Sequence, residues 1–279
     1  MQDITIYLFL DESGDKGYST SRPRDGLGVM AGFLVDDFVV SRIKEEMTVK
    51  LKALNIDDTS KLHMSALDNE QKNKSIDLVR SLFKQFQLNF FYEAIATESF
   101  LDFASSAAPK KESMHSQLLQ NILMKALMYC KGIIEKYQGN INLKVVSDNI
   151  DSGVLKGMEN DISIIVNFLN NDWSRRYITK KQFIETRTTS MSPDPRPTKG
   201  KFKVNLTVET SEITFISDVL AYTTFKHLKK YMNENEGLSL NTKMSTSGHP
   251  LEEFLILQFT PELEDINILG KIFGPGRGK

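Results

Sequence analysis

The chain has 279 residues, of which 40% are hydrophobic, and this suffices for the core of one large or two smaller globular domains. No apolar run approaches the roughly 18 residues of a membrane span, and the N-terminus lacks a signal sequence, so we expect a cytoplasmic protein. The net charge is only -1, which excludes a global attraction for nucleic acid, so any such binding must come from a local basic patch.

The first predicted element is an apolar strand that ends abruptly in acidic residues. The run from Ile4 to Leu10 is followed by Asp11 and a polar turn, and it is typical of a strand buried on both faces in the middle of a sheet. Asp11 therefore lies at the carboxyl end of this strand, where open α/β sheets bind ligands. A buried carboxylate there needs a cation or hydrogen-bond donors to offset its desolvation.

Strand and helix patterns then alternate along the chain. Residues 27–35 predict a second strand in a hairpin with the first. The spacing of Gly26, Gly28 and Ala31 resembles a dinucleotide-binding motif, but such a motif follows a strand and opens a helix, whereas this one lies inside the apolar run. Further helices are predicted at 37–54, 68–86, 98–108, 113–137, 154–170 and 212–235, and further strands at 87–97, 141–146, 179–189, 201–208 and 254–259. Without a strong linker, we expect one domain over residues 1–236 and a C-terminal extension over 237–279 that packs on it or is partly flexible.

Two further aspartates are placed where they can join Asp11. Asp148 follows the strand predicted at 141–146, and Asp218 lies on a largely apolar face of the last long helix. Three carboxylates converging where strand ends meet a helix suit a hard divalent cation with oxygen ligands. A buried structural acid is the alternative for Asp218.

The single cysteine, Cys130, lies in an apolar helical pattern and is predicted to be a buried, inert thiol.

One stretch of the chain is markedly basic and contains interleaved aromatic residues. Its basic side chains are Arg175, Arg176, Lys180, Lys181, Arg187, Arg196, Lys199, Lys201 and Lys203. They are opposed only by Glu185 and Asp194, and Trp173 and Tyr177 lie beside them. The composition is typical of a surface that binds phosphates and stacks bases, and equally of a solvated hairpin.

Four short motifs together resemble the family called domain of unknown function 3800. They are Leu10-Asp11-Glu12-Ser13-Gly14-Asp15, Leu62-His63, Val146-Ser147-Asp148 and Ser217-Asp218-Val219-Leu220-Ala221-Tyr222. The resemblance implies an α/β fold with a ribonuclease H-like mixed sheet flanked by helices, with helical insertions and a C-terminal extension. It also implies metal-dependent nuclease activity, with members often found in bacterial genome or phage-defence contexts.

The resemblance also assigns roles to individual residues. It implies that Asp11, Asp148 and Asp218 bind two Mg²⁺ or Mn²⁺ ions for catalysis, while Glu12 joins them only if the strand ends at Asp11. Ser13, with Gly14, shapes the turn beside the substrate. His63 positions a phosphate or protonates a leaving group, or else it is an ordinary surface or core histidine. The nucleic acid substrate is expected to contact the basic side chains, with these four foremost: Arg175, Arg176, Lys180 and Lys181.

Two departures from the family pattern keep other functions open. Lys61 occupies a position where family members often have a glutamate, and the helix at 113–137 has no central acid like that of ribonuclease H. The chain is therefore a metal-dependent nuclease, a catalytically degenerate module that binds nucleic acid or protein, or a hydrolase of small phosphoesters. A homodimer or an activating partner protein is compatible with each hypothesis, and no membrane partner is expected.

Overall fold

A computed structural model describes most of the chain, and all structural statements concern those residues. They are 3–15, 26–54, 62–97, 113–148, 150, 152–171, 174–178, 184–188, 196–197, 200–234, 246–256 and 272–273. The strands are β1 (Asp3–Gly14), β2 (Leu27–Asp36), β3 (Phe90–Ala96), β4 (Asn140–Ser147), β5 (Ser174–Ile178), β6 (Ile184–Thr188), β7 (Phe202–Val208) and β8 (Ile272–Phe273). The α-helices are α1 (Asp37–Ala53), α2 (Asn69–Phe86), α3 (Ser113–Tyr137), α4 (Ser152–Asn170) and α5 (Glu212–Glu234).

The central sheet is mixed, and β1 lies in its middle. Its strand order is β7-β4-β1-β2-β3-β8. Strands β1, β4 and β7 run parallel to one another, whereas β1, β2 and β3 form an antiparallel meander. This α/β architecture, with helices on both faces, is consistent with the predicted ribonuclease H-like fold. Strands β5 and β6 form a separate two-stranded antiparallel sheet.

The position of β1 follows from its apolar residues, which are buried on both faces. Leu8 and Leu10 face a core shared with α3 and α4, while Phe9 faces a second core shared with α1, α2 and α5. Because side chains alternate along a strand, consecutive residues at the end of β1 also face opposite helical layers. This alternation decides which acidic side chains of β1 can meet.

The strand continues past Asp11 to Gly14, where the chain turns towards β2. Gly14 has a φ of +88°, and a Cβ at this position would lie 2.2 Å from the carbonyl oxygen of Leu27 and 2.6 Å from the ring of Phe225. Both the positive φ and the close approach require glycine. Ser13 and Gly14 were predicted to shape a turn, but both still belong to β1 and pair with Val29 and Gly28 of β2.

Most helix boundaries agree with the sequence pattern. Asp68 caps α2 in a reciprocal capping box with Gln71, and Glu70 forms an ion pair with Lys74 at 2.6 Å. The bounds of α3 are the predicted ones. Cys130 on this helix is fully buried, as expected. In the part of the chain that the structure describes, no helix is long and apolar enough to cross a membrane.

Three predicted segments need correction or lie outside the description. Residues 252–254 form a 3₁₀ turn instead of starting a strand, and Leu255 makes only an isolated bridge to Phe90. The described part of the strand predicted at 179–189 is β6, and its partner β5 was not predicted because arginines interrupt its apolar pattern. The helix predicted at 98–108 lies outside the described residues. In the C-terminal extension, Leu251 packs in the core beside α2 and α5.

Candidate metal centre

Asp11 is the first acidic side chain of the candidate site. Within β1 it shares a face with Phe9 and so points towards the layer that contains α5. Only 6% of the residue is exposed. The backbone N–H of Glu12 donates a hydrogen bond to Asp11 Oδ1 at 2.8 Å. The carboxylate is therefore buried beside the end of the central strand, as the sequence predicted.

Asp218 approaches Asp11 from α5. Its neighbours on this helix, including Phe215 and Val219, are buried in the core against the sheet, and Asp218 itself is 3% exposed. Its Oδ2 accepts a hydrogen bond from the backbone N–H of Met64, which begins a 3₁₀ turn at Met64–Ala66. The interpretation of Asp218 as an inward-facing acid on the last long helix is confirmed.

His63 is brought to Asp218 by the same 3₁₀ turn, of which it is the N-cap residue. Its Nδ1 accepts a hydrogen bond from the backbone N–H of Ser65 at 3.2 Å and lies 3.7 Å from Asp218 Oδ1. About half of the side chain is exposed, at 54%. His63 thus contacts the buried acid with one edge of its ring and meets solvent with the rest.

Asp11, His63 and Asp218 form one compact cluster of possible metal ligands. One ligand atom from each of the three lies within 4.8 Å of the others. Two carboxylates and an imidazole at the end of a central strand form a donor set that a divalent cation can occupy. The three residues come from positions far apart in the sequence, so the fold creates this cluster.

Burial perturbs the pKa of both carboxylates. The pKa of Asp11 is raised well above its usual range, first by burial and then by the negative charges of Glu12, Asp218 and Asp148. Burial also raises the pKa of Asp218, although the Met64 N–H and His63 oppose the shift. Two acids held this way resist simultaneous ionisation unless a cation offsets their charge. The donor set and its electrostatics therefore fit a bound divalent ion.

Asp148 lies beside the cluster but outside its three-residue core. The parallel register pairs Leu10 with Ser147, which places Asp148 next to Asp11 at the same edge of the sheet. Asp148 is partly buried, and its Oδ1 accepts a hydrogen bond from the hydroxyl of Thr210. Its charge raises the pKa of both Asp11 and Asp218, so it lies within electrostatic reach of both. The predicted convergence of three aspartates is thus present, with Asp148 more peripheral.

Glu12 does not join this cluster. Because β1 continues to Gly14, its side chain points to the opposite face of the sheet, towards α3. There its Oε2 lies 3.7 Å from Nε2 of His115, and both side chains are almost fully buried. The geometry does not support a shared site with Asp11. Sequence reasoning missed His115, since one histidine in an apolar helical stripe carries no signal of its partner.

A second buried polar group lies on the same face as Glu12. Strand register aligns Glu12, Met30 and Glu93 across three strands, and Glu93 forms an ion pair with Lys125 of α3. Lys125 Nζ also donates to the carbonyl oxygen of Tyr92 at 3.0 Å. Both charged side chains are buried, so they compensate each other inside the core. This pair is structural and lies away from the face that carries Asp11.

The remaining predicted site residues divide into two groups. Ser13 is partly buried and shares the face of Asp11, two residues farther along β1. Arg175 and Arg176 lie in β5, opposite Arg187 and Thr186 of β6, and this sheet is described by its backbone pairing alone. Lys180 and Lys181 lie outside the described residues, as does Lys61, where the family pattern often has a glutamate. The predicted role of the four basic side chains in substrate binding therefore stays a prediction.

Comparisons with known proteins do not add a family. No protein-family model matches the chain, and no curated protein matches its sequence. The resemblance to domain of unknown function 3800 therefore depends on the four motifs alone.

Proposed function

We propose that this protein is a metal-dependent nuclease of the domain of unknown function 3800 type, cleaving phosphodiester bonds of RNA or DNA. The observation that carries the proposal is the pairing of two buried carboxylates, Asp11 and Asp218, within 4.8 Å of each other and of His63. Neither carboxylate has a lysine or arginine partner among the described ion pairs. A site of this kind, at the end of the central strand, suits Mg²⁺ or Mn²⁺ better than a structural role.

Each residue of the site has a distinct task in this proposal. Asp11 and Asp218 hold the cation in the buried part of the site, and Asp148 completes the carboxylate set from the neighbouring strand. A bound pair of Mg²⁺ or Mn²⁺ ions supplies an activated water and stabilises charge on the leaving oxygen. His63 presents its exposed ring to a phosphate or leaving group. Ser13 lies beside the path of the substrate on the same sheet face.

The substrate is a nucleic acid in this proposal because the basic stretch that includes Arg175 and Arg176 adds phosphate-binding capacity. Lysines and arginines that neutralise phosphates supply most of the sequence-independent affinity for nucleic acids. A role as a bacterial defence effector, activated by a partner protein, would follow from the family resemblance. Such an effector would need its activator for full activity.

The test is cleavage of labelled RNA, DNA and RNA/DNA hybrid by the full chain with Mg²⁺ or Mn²⁺. The variants are Asp148→Asn and Asp218→Asn, which remove one charge each and keep the side-chain shape. Asp77→Asn is the matched control, because Asp77 is exposed and pairs with Arg80 on the surface of α2. We expect metal-dependent cleavage by the wild type and the control, and none by either site variant.

Two results would contradict the proposal. Normal cleavage by the Asp218→Asn variant would show that the carboxylate cluster is not the catalytic site. A wild-type chain whose melting temperature does not respond to Mg²⁺ or Mn²⁺ would show that the cluster holds no cation. Circular dichroism of the variants separates loss of chemistry from loss of fold.

A binding module without catalysis is the second candidate, and the sequence of α3 favours it. The only acidic residue of this helix is Glu135, near its C-terminal end, so the helix supplies no central carboxylate. The alternative predicts nucleic-acid binding that a chelator leaves unchanged and that charge reversal of Arg175 and Arg176 weakens. Hydrolysis of a nitrophenyl phosphate that survives loss of those arginines would indicate a small-phosphoester hydrolase instead.

A further inference from the structure

A cluster of two lysines and a tyrosine lies one helical turn from the candidate metal centre. The ammonium groups of Lys72 on α2 and Lys226 on α5 lie 5.7 Å and 5.6 Å from the centre of the Tyr222 ring. Tyr222 is four residues after Asp218, so the two residues share a face of α5 about 6 Å apart along its axis. We call these three residues the lysine–tyrosine cluster.

The two lysines are not neutralised by neighbouring acids. Asp68 is occupied by the capping box of α2, and Glu70 pairs with Lys74. On α5, the residues one turn from Lys226 are Tyr222, Thr223, Lys229 and Lys230. Among the described residues, neither Lys72 nor Lys226 forms an ion pair. The Tyr222 ring attracts both ammonium groups by cation–π interaction without cancelling their charge.

The cluster also lies close to the carboxylates along α5. Helical side chains tilt towards the helix N-terminus, so the Tyr222 ring leans over the turn that carries Asp218. Phe225, three residues later, packs against Gly14 where β1 ends. The cluster therefore lies near the sheet edge that carries the carboxylates. Two positive charges beside a negative metal-binding site suit a ligand with several phosphates.

We propose that Lys72 and Lys226, held by Tyr222, bind backbone phosphates of the nucleic acid next to the phosphate at the carboxylates. This inference deepens the proposed nuclease function and depends on it. In this inference, the lysine–tyrosine cluster aligns the nucleic acid strand across the carboxylate site. The basic stretch around β5 is not required for that role. RNA and DNA share the phosphodiester chemistry that the cluster recognises.

The test is equilibrium binding of short labelled single-stranded RNA and DNA by the full chain, measured by fluorescence anisotropy across a range of KCl. Ca²⁺ replaces Mg²⁺ so that binding is measured without cleavage. The variant is Lys72→Gln with Lys226→Gln. The matched control is Lys74→Gln with Lys230→Gln, which removes the same charge from lysines already paired with Glu70 and Glu234.

We expect the variant to weaken binding and to lower the salt dependence, while the control changes neither. On single strands each lost phosphate contact reduces the slope of log K against log salt by about 0.7, so two contacts reduce it by about 1.4. Tyr222→Phe retains the ring and is expected to bind like the wild type. If only RNA or only DNA shows the loss, that polymer is the ligand.

Three outcomes overturn the inference. If the Lys72→Gln, Lys226→Gln variant binds with the affinity and salt slope of the Lys74→Gln, Lys230→Gln control, the cluster does not bind phosphates. The proposed nuclease function is then retained as long as the wild type cleaves. Absence of wild-type binding at low salt overturns both proposals. Binding that depends on the cluster, without cleavage under any condition, contradicts the nuclease and overturns the aligning role that the inference assigns to the cluster.

Discussion

Replacing Asp11 by asparagine should have opposite effects on stability with and without a divalent cation. Asp11 and Asp218 place carboxylate oxygens within 4.8 Å of each other in a buried site. Two unit charges at that separation repel by about 3.5 kcal/mol at an effective dielectric constant of about 20. Burial raises the pKa of both groups, so the folded state disfavours ionisation of the pair. Without metal, Asp11→Asn should therefore stabilise the fold by a fraction of that value, about 1 to 2 kcal/mol.

A saturating cation should make the wild type more stable than the Asp11→Asn variant. At a concentration one hundred times its dissociation constant, the ion stabilises the wild type by about 2.7 kcal/mol. Each kcal/mol shifts the melting temperature by about 2 °C in a chain near this size, so the wild type should gain about 5 °C. The Asp11→Asn variant loses a ligand and should gain little.

The assay is thermal unfolding of both proteins in EDTA and in a Mg²⁺ or Mn²⁺ titration. Asp77→Asn serves again as the control, since its carboxylate is exposed and distant from the cluster in sequence. The expected signature is a crossover: the variant melts higher in EDTA and lower at saturating metal. A variant that melts lower in EDTA, together with a wild type that does not respond to metal, would refute the reasoning.

Three further predictions follow from buried groups. The metal-induced rise in melting temperature should shrink as pH falls, because protons compete with the metal for Asp11 and Asp218, whose pKa values are raised. In EDTA, the free energy of unfolding should fall as pH rises, because the folded state binds more protons than the unfolded state. An unchanged metal response between pH 5 and 8 would contradict this. Lys125→Met should cost about 3 to 5 kcal/mol in urea unfolding by leaving Glu93 buried without its cation, and adding Glu93→Leu should recover much of that loss. Burial raises the pKa of the Cys130 thiol to about 12, so iodoacetamide at pH 8 should modify it only after unfolding, and rapid labelling of the native protein would be the contrary result.

The sequence predicted where the three aspartates lie because each follows a local pattern. Asp11 follows the apolar run within β1 and Asp148 follows β4, and the parallel pairing of these strands places the two residues at the same sheet edge. Asp218 lies on the apolar face of a strongly patterned helix. In each of these cases the local hydrophobic period decides which way the side chain points.

The features that sequence reasoning missed depend on contacts between distant elements. The side of the sheet on which Glu12 lies was decided by the extension of β1 to Gly14, which pairing with β2 stabilises. Glu93 and Lys125 interrupt apolar runs in separate elements, and only the packing of α3 on β3 makes them partners. The approach of Lys72 to Tyr222 likewise requires the packing of α2 against α5.

The central claim is that the carboxylate cluster directs cleavage of a phosphodiester bond with a divalent cation. The most direct measurement is analysis of the ends produced when the full chain, with Mn²⁺, cuts labelled RNA and DNA. A two-metal carboxylate site should produce 5′-phosphate ends that appear only with the metal and vanish in the Asp218→Asn variant. Cleavage in EDTA that leaves 2′,3′-cyclic phosphates on RNA, and that the variant retains, would contradict it.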